Sequence, residues 1–313
     1  MKIIVTGALG HIGSALIRSL PDRFAGVEIV MIDNLATLRY PSLFDLPANG
    51  RYSFIEADVR HADLRPLLER THTVVHLAAT TDAAGSVNDP AATEANNYNA
   101  TAKIAASCVE TGARLIHLSS TSVYGTQSET VSEDCPAEDL KPQSPYAESK
   151  LKEENLVRSL QDNSKLKAII CRFGTIFGPS PGMRFHTAVN KFCWQAVMRQ
   201  PLTVWRTAYD QKRPYLDLRD AVGAITHIIE REPFDGGTYN VVTLNATVRN
   251  VVEAIAKLLP DIKLSFVDSP IMNQLSYEVS AQRFCERGFG FAGDLQHGID
   301  GTVALLRAAQ HRA

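Results

Sequence analysis

Three glycines at intervals of three follow the first apolar run of the chain, and this spacing restricts the fold more than any other feature. The run Lys2 to Thr6 reads as a buried parallel strand, and an apolar helical pattern begins directly after the glycines. Glycines in this context let the backbone turn tightly and approach a pyrophosphate, to which the following helix offers unpaired N–H groups. The segment predicts a dinucleotide-binding loop. Its predicted contacts are Gly7, Gly10, His11, Ile12 and Gly13.

An acidic residue follows the second predicted strand, at a characteristic distance along the sequence from the glycine loop. Asp33 comes twenty residues after Gly13, where a carboxylate binds the adenosine ribose and repels the 2′-phosphate of NADP. The sequence therefore favours NAD, with Asn34 as a neighbouring contact, although a turn residue at a strand end has the same pattern. After the third predicted strand, Tyr52 to Glu56, the short acid Asp58 can reach the adenine amino group.

Small and hydroxyl-bearing residues follow two later strands. Leu77, Ala78 and Ala79 come after the fourth predicted strand, and small residues there allow a ligand to approach closely. The fifth strand, Leu115 to Leu118, runs into the hydroxyl-rich turn Ser119 to Gly125. Ligands bind at the carboxyl ends of strands in open α/β sheets, although such a turn can also cap its own backbone.

Strands and helices alternate as far as the strand Ala168 to Arg172, and they include a helix from Pro90 to Thr111 that Gly112 ends. This alternation predicts an α/β fold with a doubly wound parallel sheet of the Rossmann type. From residue 174 the chain is rich in Gly and Pro, with short strands and helices interleaved. We expect an NAD-binding domain over residues 1–173 and a smaller C-terminal α/β substrate lobe over residues 174–313, with segments that return to the main sheet.

Tyr146 and Lys150 are four residues apart in a predicted helix, so their side chains share one face. A free phenol has a pKa of about 10 and is a poor base at neutral pH, but a neighbouring ammonium favours the phenolate. The pair predicts a proton-transfer site that works with a hydride acceptor. The same spacing also arises by chance on amphipathic helices.

Composition narrows the class of protein. Of 313 residues, 45% are apolar and 21% are charged, and the net charge of -2 offers no basic field to nucleic acid or anionic membranes. Five scattered cysteines without a C-x-x-C pair predict no metal site and no disulfide framework. An N-terminal strand without a leader-like stretch, and apolar runs too short for a membrane span, predict a cytoplasmic protein with no membrane partner.

Together these motifs resemble the extended short-chain dehydrogenase/reductase family, in its nucleotide-sugar epimerase/dehydratase branch. The resemblance covers nearly the whole chain and is strongest before residue 180. The matching stretches are the glycine loop, Asp33-Asn34, Asp58, His76 to Ala79, Asn96-Asn97, Ser119 to Gly125 and Ser144 to Lys150.

The resemblance implies roles for these residues and NAD as the cofactor. Tyr146 is the implied acid/base, Lys150 lowers its pKa and holds the nicotinamide ribose, and Ser120 hydrogen-bonds the reacting sugar hydroxyl. The implied cofactor contacts beyond the glycine loop are Asp33, Asn34, Asp58, Val59, Leu77, Ala78, Ala79, Asn96, Ser119, Tyr146 and Lys150.

A nucleoside-diphosphate sugar is the implied substrate. Arg213 and Asn190 match positions that bind its diphosphate, although a surface salt bridge is the alternative for Arg213. Thr175 stands where the family usually has Asn, and His186 is a substrate contact, a second proton carrier or a packing histidine. The predicted substrate contacts are Ser120, Thr121, Ser122, Thr175, His186, Asn190 and Arg213.

The residues after Ser120 guide the choice of reaction. Family dehydratases carry an Asp-Glu pair there, decarboxylases a Glu and 3,5-epimerase/4-reductases a Cys at the second position, whereas this chain has Thr121 and Ser122. A small hydroxyl best resembles the 4-epimerases, which act through a transient 4-keto sugar. A C4 oxidase or reductase, and a non-catalytic NAD-binding protein, stay open as alternatives. The resemblance also implies a homodimer that pairs through the helices beginning at Pro90 and Ser144.

Overall fold

Helices and parallel strands alternate along most of the chain. The computed structural model describes residues 1–83, 85–125, 130–268 and 276–308. The strands are β1 (Lys2–Thr6), β2 (Glu28–Asp33), β3 (Arg51–Glu56), β4 (Thr73–His76), β5 (Arg114–Ser120), β6 (Thr130–Val131), β7 (Ala168–Phe173), β8 (Thr175–Phe177), β9 (Leu202–Trp205), β10 (Lys212–Asp217), β11 (Thr238–Val241), β12 (Leu244–Thr247), β13 (Leu264–Val267) and β14 (Glu278–Val279). The helices are α1 (His11–Arg23), α2 (Arg65–Leu68), α3 (Pro90–Thr111), α4 (Pro145–Ser164), α5 (Ala188–Val197), α6 (Leu218–Arg231), α7 (Val248–Ala256), α8 (Gln282–Cys285) and α9 (Leu295–Ala308).

The main sheet has seven parallel strands in the order β11-β7-β5-β4-β1-β2-β3. The order reverses at β1, which pairs with β2 on one side and with β4 on the other. In a doubly wound sheet, the crevice at the carboxyl ends of the strands on either side of this reversal is the ligand-binding position. The predicted α/β fold with a Rossmann-type parallel sheet is confirmed.

Alternate side chains of the sheet enter two separate apolar layers. Ile3 and Val5 face the layer that α1 and α6 cover, whereas Ile4 faces the layer that α3 and α4 cover. This alternation follows from the two-residue period of a strand, and both faces are apolar because helices cover both. None of the helices in the described ranges is long and apolar enough to cross a membrane.

Residues after 173 contribute both to this sheet and to a second core. β11 pairs in parallel with β7, with Thr238 opposite Ile170, and so extends the main sheet at its edge. A separate apolar cluster is formed entirely by residues between Phe177 and Leu306. It lies among α5, α7 and α9 and the strands β9, β10 and β12. The division of the chain at residue 173 stays a prediction.

The two long helices beside the sheet begin at side-chain caps. Asp89 accepts a hydrogen bond from the Ala92 N–H ahead of α3, and Ser144 accepts one from Ala147 N–H ahead of α4. A proline follows each cap, where its missing N–H has no intrahelical partner to lose. Gly112 ends α3 with a φ of 73°, as its sequence predicts.

A buried ion pair joins α4 to the main sheet. The guanidinium of Arg172 in β7 donates to both carboxylate oxygens of Glu154, at 2.8 and 2.7 Å, and Ser119 in β5 donates to one of them at 2.6 Å. Glu154 is fully buried, and Arg172 is nearly so. The position of α4 on the sheet is thus set by charge and hydrogen bonds as well as by apolar packing.

We expect Glu154→Gln to lower the free energy of unfolding by about 3–5 kcal/mol, because it leaves a buried guanidinium without its counter-charge. Urea denaturation followed by circular dichroism measures this loss. Glu148→Gln is the matched control, since Glu148 lies exposed on the same helix; its effect should stay within about 0.5 kcal/mol. Equal losses in the two variants would contradict this prediction.

Candidate active site

The glycine loop packs backbone to backbone against the end of β4. Gly7 has a φ of +64°, and a Cβ there would lie 2.7 Å from the Ala78 nitrogen and the Leu77 carbonyl carbon. A Cβ on Gly13 would lie 2.5 Å from the Gly7 oxygen, so α1 can approach the loop only at a glycine. Gly10, the N-cap of α1, provides no side-chain cap. The first N–H groups of α1 therefore face the crevice uncapped, which fits a pyrophosphate.

The acid at the end of β2 is oriented beside this loop. One carboxylate oxygen of Asp33 accepts a hydrogen bond from Leu9 N–H at 3.1 Å, and the other accepts one from Leu35 N–H at 3.0 Å. Asn34 accepts a hydrogen bond from Ala36 N–H. Asp33 and Asn34 thus lie at the carboxyl end of the sheet, where the prediction of a ribose contact requires them.

Asp58 lies after β3 and is already paired. Arg60 donates to both of its carboxylate oxygens at 2.6–3.1 Å, and these bonds, first among several causes, hold the pKa of Asp58 at about 2. Val59 is buried beside it. Contact of Asp58 with adenine stays a prediction, and its carboxylate is charged at neutral pH.

An asparagine of α3 anchors the segment after β4. Asn97 is fully buried; its Oδ1 accepts from Thr80 N–H at 2.7 Å and its Nδ2 donates to the Thr80 oxygen at 3.0 Å. Asn96, the predicted cofactor contact, donates to the Thr80 hydroxyl at 3.1 Å. Sequence reasoning matched both asparagines but assigned a role only to Asn96. Two adjacent amides in this helix were the available signal for an anchor.

The hydroxyl-rich turn after β5 has two kinds of side chain. Ser120 Oγ accepts from the Ser122 N–H at 3.2 Å and from its hydroxyl at 2.9 Å, so the Ser120 proton stays available. Thr121 is buried and donates to the Phe173 oxygen, and Ser119 donates to Glu154. The hydroxyls of Ser119 and Thr121 therefore have protein partners, whereas Ser120 retains a free donor.

Tyr146 and Lys150 lie one turn apart on α4, which packs against this turn. The half-buried Tyr146 lies in the first turn of the helix, and its N–H donates to the Ser86 hydroxyl at 3.3 Å. Lys150 is 4% exposed, and its Nζ lies 2.9 Å from Glu153 Oε2. Burial alone lowers the pKa of Lys150, but the charges of Glu153 and Tyr146 outweigh burial and raise it. The ammonium is therefore charged at neutral pH, as the sequence analysis requires.

Predicted substrate contacts lie on several elements after residue 173. Thr175 is in β8, beside Tyr215 of β10. Arg213 in β10 is half-buried, and burial lowers its pKa although it donates to Gln211 at 3.3 Å. His186 is exposed just before α5, and loss of solvation and the charge of Arg184 lower its pKa.

The fully buried Asn190 organises the chain around His186. Its Oδ1 accepts from Gly178 N–H at 3.2 Å, and its Nδ2 donates to the Arg184 oxygen at 3.2 Å. Both polar ends of the side chain are thus bonded to the protein backbone. A direct substrate contact by Asn190 stays a prediction, and its observed bonds hold the segment 178–184 in place.

That segment is bonded directly to the glycine loop and α1. His11 Nε2 donates to the Gly178 oxygen at 2.7 Å, and Ser14 Oγ accepts from Gly182 N–H at 3.0 Å. A Cβ on Gly182 would lie 2.2 Å from the Leu9 oxygen. Burial lowers the pKa of His11 to about 4, so the imidazole is neutral at pH 7. His11 therefore has a structural bond that sequence reasoning did not predict.

Two arginines at the crevice also escaped the sequence analysis. Arg39 is half-buried, and its Nη1 lies 3.8 Å from the position of a Cβ on Gly10. Arg184 is half-buried and donates to the Thr81 hydroxyl. Arg39 is the first arginine after Asp33 in the sequence, but no motif marks either Arg39 or Arg184. Among the described residues, no group of three His, Cys, Asp or Glu side chains could hold a metal ion.

The chain is similar to known proteins over most of its length. A family model described as the NAD dependent epimerase/dehydratase family matches residues 3–241. A Bacillus subtilis protein, named an uncharacterized UDP-glucose epimerase, is 30% identical over 272 residues, which cover 84% of this chain and 82% of that protein. The UDP-glucuronic acid decarboxylase 1 of Arabidopsis thaliana is 26% identical over 279 residues, which cover 86% of this chain and 62% of that protein.

A solved structure shares the fold and contains the cofactor. The UDP-glucuronic acid 4-epimerase from Bacillus cereus, in complex with UDP-glucuronic acid and NAD, is 26% identical to this chain with a TM-score of 0.88. The similarity covers 99% of this chain and 100% of that one. The glycine loop, the uncapped start of α1 and the oriented Asp33 fit the same dinucleotide. The chain therefore belongs to the NAD-dependent epimerase/dehydratase family, and its cofactor is NAD.

Proposed function

We propose that this protein is a nucleoside-diphosphate-sugar 4-epimerase. The observation that carries the proposal is the arrangement of Tyr146 and Lys150 on α4 against the turn that Ser120 begins. A phenol, an ammonium and a free hydroxyl donor thus share one end of the sheet. Together they can remove a proton from a sugar hydroxyl and hold the oxygen while a carbonyl forms.

Tyr146 takes the proton of the C4 hydroxyl in this reaction. NAD, when bound, supplies the hydride acceptor and returns the hydride to the sugar. Lys150 lies one helical turn after Tyr146, and its buried ammonium stabilises the negative charge that develops on the reacting oxygen atoms during proton transfer. Ser120 accepts two hydrogen bonds and donates its own proton to the sugar oxygen, and such chained bonds strengthen the donor. A hydroxyl suits both states of the sugar, because it can donate to a ketone and accept from an alcohol.

The positions after Ser120 support epimerisation rather than elimination. Loss of water from the sugar requires an acid and a base, whereas Thr121 and Ser122 provide hydroxyls only. Thr121 is buried against the Phe173 oxygen, and Ser122 is bonded to Ser120. A ketone intermediate held here meets no side chain at either position that would ionise to remove a further proton.

We propose a uridine-diphosphate sugar as the substrate, since relatives and solved neighbours are named for UDP-glucose and UDP-glucuronic acid. Arg213 is the side chain that we assign to its diphosphate. Burial lowers the pKa of Arg213, and a phosphate would restore the stability of its charge. The homodimer through α3 and α4, and the cytoplasmic location, stay predictions.

We expect Tyr146→Phe to reduce kcat by about 10²- to 10⁴-fold, because the phenylalanine ring can neither accept nor return the proton. Bound NAD should stay at the wild-type amount per chain, since no cofactor phosphate contact is lost. Turnover of UDP-sugars followed by chromatography, with NAD counted after denaturation, measures both quantities. Tyr209→Phe is the control, because it removes the same hydroxyl from the second lobe. Wild-type turnover in Tyr146→Phe would disprove the proposed role.

A net oxidase or reductase is the second candidate, and the nicotinamide absorbance separates it from an epimerase. An epimerase returns the hydride within each cycle, so excess sugar should be converted with no more than one reduced nicotinamide per chain. An oxidase instead accumulates reduced nicotinamide in proportion to product. Parallel measurement of absorbance and of the two C4 epimers therefore tests the proposal. Stoichiometric reduction of added NAD would reject the 4-epimerase.

A further inference from the structure

Two arginines face the glycine loop without a carboxylate partner. Arg39 approaches Gly10 at the start of α1, and Arg184 donates to the Thr81 hydroxyl. Across the described ranges, neither guanidinium lies within 4.0 Å of a carboxylate oxygen. The Nε of Arg184 is buried and has no hydrogen-bond partner there. Burying a cationic donor without a partner is unfavourable, so this arrangement indicates a site for an anion.

The backbone after β8 brings Arg184 close to the glycine loop. Gly182 contacts the carbonyl oxygens of Leu9 and Gly10 so closely that a Cβ would lie 2.2 and 2.5 Å from them. Asn190 then holds the Arg184 oxygen at 3.2 Å. Arg184 is thus two residues beyond a direct contact with the loop, on a segment with few alternative positions.

The two guanidinium groups lie close enough to repel each other. Burial, and then the charge of Arg39, lower the pKa of Arg184 to about 10. Burial also lowers the pKa of Arg39, and Asp33 partly opposes this effect. Asp82 is the carboxylate that opposes the shift at Arg184, and it is exposed and accepts a hydrogen bond from the Gly85 N–H. Two guanidinium groups that repel each other therefore lie beside the loop, and neither forms an ion pair with the carboxylate that acts on it.

The nearby histidines do not add to this charge at neutral pH. Burial lowers the pKa of His11 to about 4, and the pKa of His186 is also lowered. The cationic groups beside the loop at neutral pH are therefore Arg39 and Arg184. Two guanidinium groups at a helix N-terminus match a ligand group with two negative charges.

We propose that Arg39 and Arg184 both bind the pyrophosphate of NAD at the glycine loop. Asp33, at the end expected to hold the adenosine ribose, acts on Arg39, whereas Tyr146, at the expected nicotinamide end, acts on Arg184. The pair therefore lies between the two ends of the dinucleotide, where its pyrophosphate is located. Because the site involves only NAD, it does not depend on which sugar reaction the protein catalyses.

Exchange of labelled NAD from the holoenzyme tests this site without any sugar substrate. We expect Arg39→Gln and Arg184→Gln each to weaken NAD binding by about 10- to 100-fold, as loss of a charged hydrogen bond does. The affinity of the wild-type protein should fall with added salt, and that of each variant should fall less steeply. Arg249→Gln is the control, since Arg249 pairs with Asp210 on the surface of the second lobe.

Lysine variants distinguish the loss of a charged contact from misfolding. Arg39→Lys and Arg184→Lys keep the charge and should bind NAD better than the glutamine variants, although without a planar fork they will not match the wild type. NAD affinity at the wild-type value in Arg184→Gln would overturn the proposal. A change confined to KM for the sugar would likewise overturn it and would assign Arg184 to an acidic group of the substrate.

A second and independent observation concerns the buried carboxylate of Glu153. Its Oε2 accepts hydrogen bonds from Lys150 Nζ at 2.9 Å and from Thr101 Oγ1 at 2.8 Å, and its Oε1 accepts one from Ser149 at 3.0 Å. Glu153 is 1% exposed and Lys150 is 4% exposed. An ion pair so shielded is much stronger than one at a surface, and removal of one partner leaves the other uncompensated.

Two histidines of the sheet face the same ion pair. His117 Nε2 lies 3.7 Å from Glu153 Oε2, and the His76 ring stacks against His117 with centroids 6.2 Å apart. Burial is the main reason that the pKa of each imidazole falls to about 3. Both rings are therefore neutral at pH 7. The two neutral rings therefore do not compete with Lys150 for an ion pair with Glu153.

The remaining groups that act on Lys150 belong to α4. Burial lowers the Lys150 pKa, whereas Glu153 raises it most, followed by Tyr146 and Glu154. Glu154 is itself bonded to Arg172 and Arg158, so its charge is shared. Glu153 has no arginine partner in the described part of the chain and makes its ionic bond with Lys150.

We propose that Glu153 is a positioning residue that keeps the Lys150 ammonium charged and in place. Glu153 touches neither sugar nor cofactor in this role and acts through Lys150. Its effect on turnover requires that Lys150 assists Tyr146 as proposed above, whereas its effect on the charge of Lys150 does not. Glu153 lies three residues after Lys150, so the two side chains are neighbours on one face of the helix and can form the ion pair.

The protonation of Lys150 in the holoenzyme tests this role without turnover. In Glu153→Gln we expect the Lys150 pKa to fall by at least about 1 unit, a change of about 1.4 kcal/mol, because the largest charge that opposes the effect of burial is removed. Nuclear magnetic resonance of labelled lysine side chains measures it, and Lys150→Met identifies the signal. The alkaline limb of the kcat profile should shift to lower pH by the same amount. Glu153→Asp should restore part of the shift.

Glu94→Gln is the matched control. Glu94 of α3 pairs with Lys152, which is exposed and lies on α4 like Lys150. That variant should leave the Lys150 pKa unchanged. An unchanged Lys150 pKa in folded Glu153→Gln would overturn the positioning role. A lowered Lys150 pKa together with no sugar turnover in the wild type would instead retain this role and reject the proposed epimerase.

Discussion

The buried ion pair between Glu154 and Arg172 is the interaction on which the candidate site depends. It fixes α4 to β5 and β7, and α4 is the element that holds Tyr146 and Lys150. The network continues across the sheet, since the Arg172 guanidinium stacks on the Tyr124 ring and the Tyr124 hydroxyl donates to Asn240 of β11. Proton transfer requires positions accurate to a fraction of an ångström, and a charged, fully bonded network restrains a helix more strictly than apolar contacts do.

Two helix positions with opposite electrostatic needs meet at the carboxyl ends of the strands. The start of α1 is uncapped and suits an anion, while one turn of α4 holds a buried ammonium beside a phenol. Glycines supply the first arrangement, because any side chain at Gly7 or Gly13 would collide with backbone. The buried carboxylate of Glu153, on the same helix, supplies the second. The first arrangement fits the pyrophosphate of NAD, and the second fits the proton transfer that we propose.

Most of the fold is predictable from the sequence because strong local signals mark its elements. Proline and glycine set the bounds of α3, and apolar runs located the six main-sheet strands before residue 174 to within two residues. The return of β11 to the sheet edge depends on contacts between distant residues, so local patterns did not indicate which segment it was.

In the site, motif spacing placed Ser120, Tyr146 and Lys150 at one end of the sheet. It did not identify Arg39, Arg184 or Glu153. Isolated charges of this kind look like surface residues until the tertiary structure buries them.

The apolar face shared by α1 and α6 has a consequence for how the molecule can be divided. Leu16 and Ile17 of α1 pack in the same layer as Ile225 and Ile228 of α6, although some two hundred residues separate them in the chain. A chain cut after β7 would lack α6 and β11. Its apolar layer would be exposed, and β7 would become an unpaired edge strand that is prone to aggregation. The nucleotide-binding half is therefore no self-sufficient module for transplantation into another enzyme, and recombination between relatives should exchange α6 and β11 together with it.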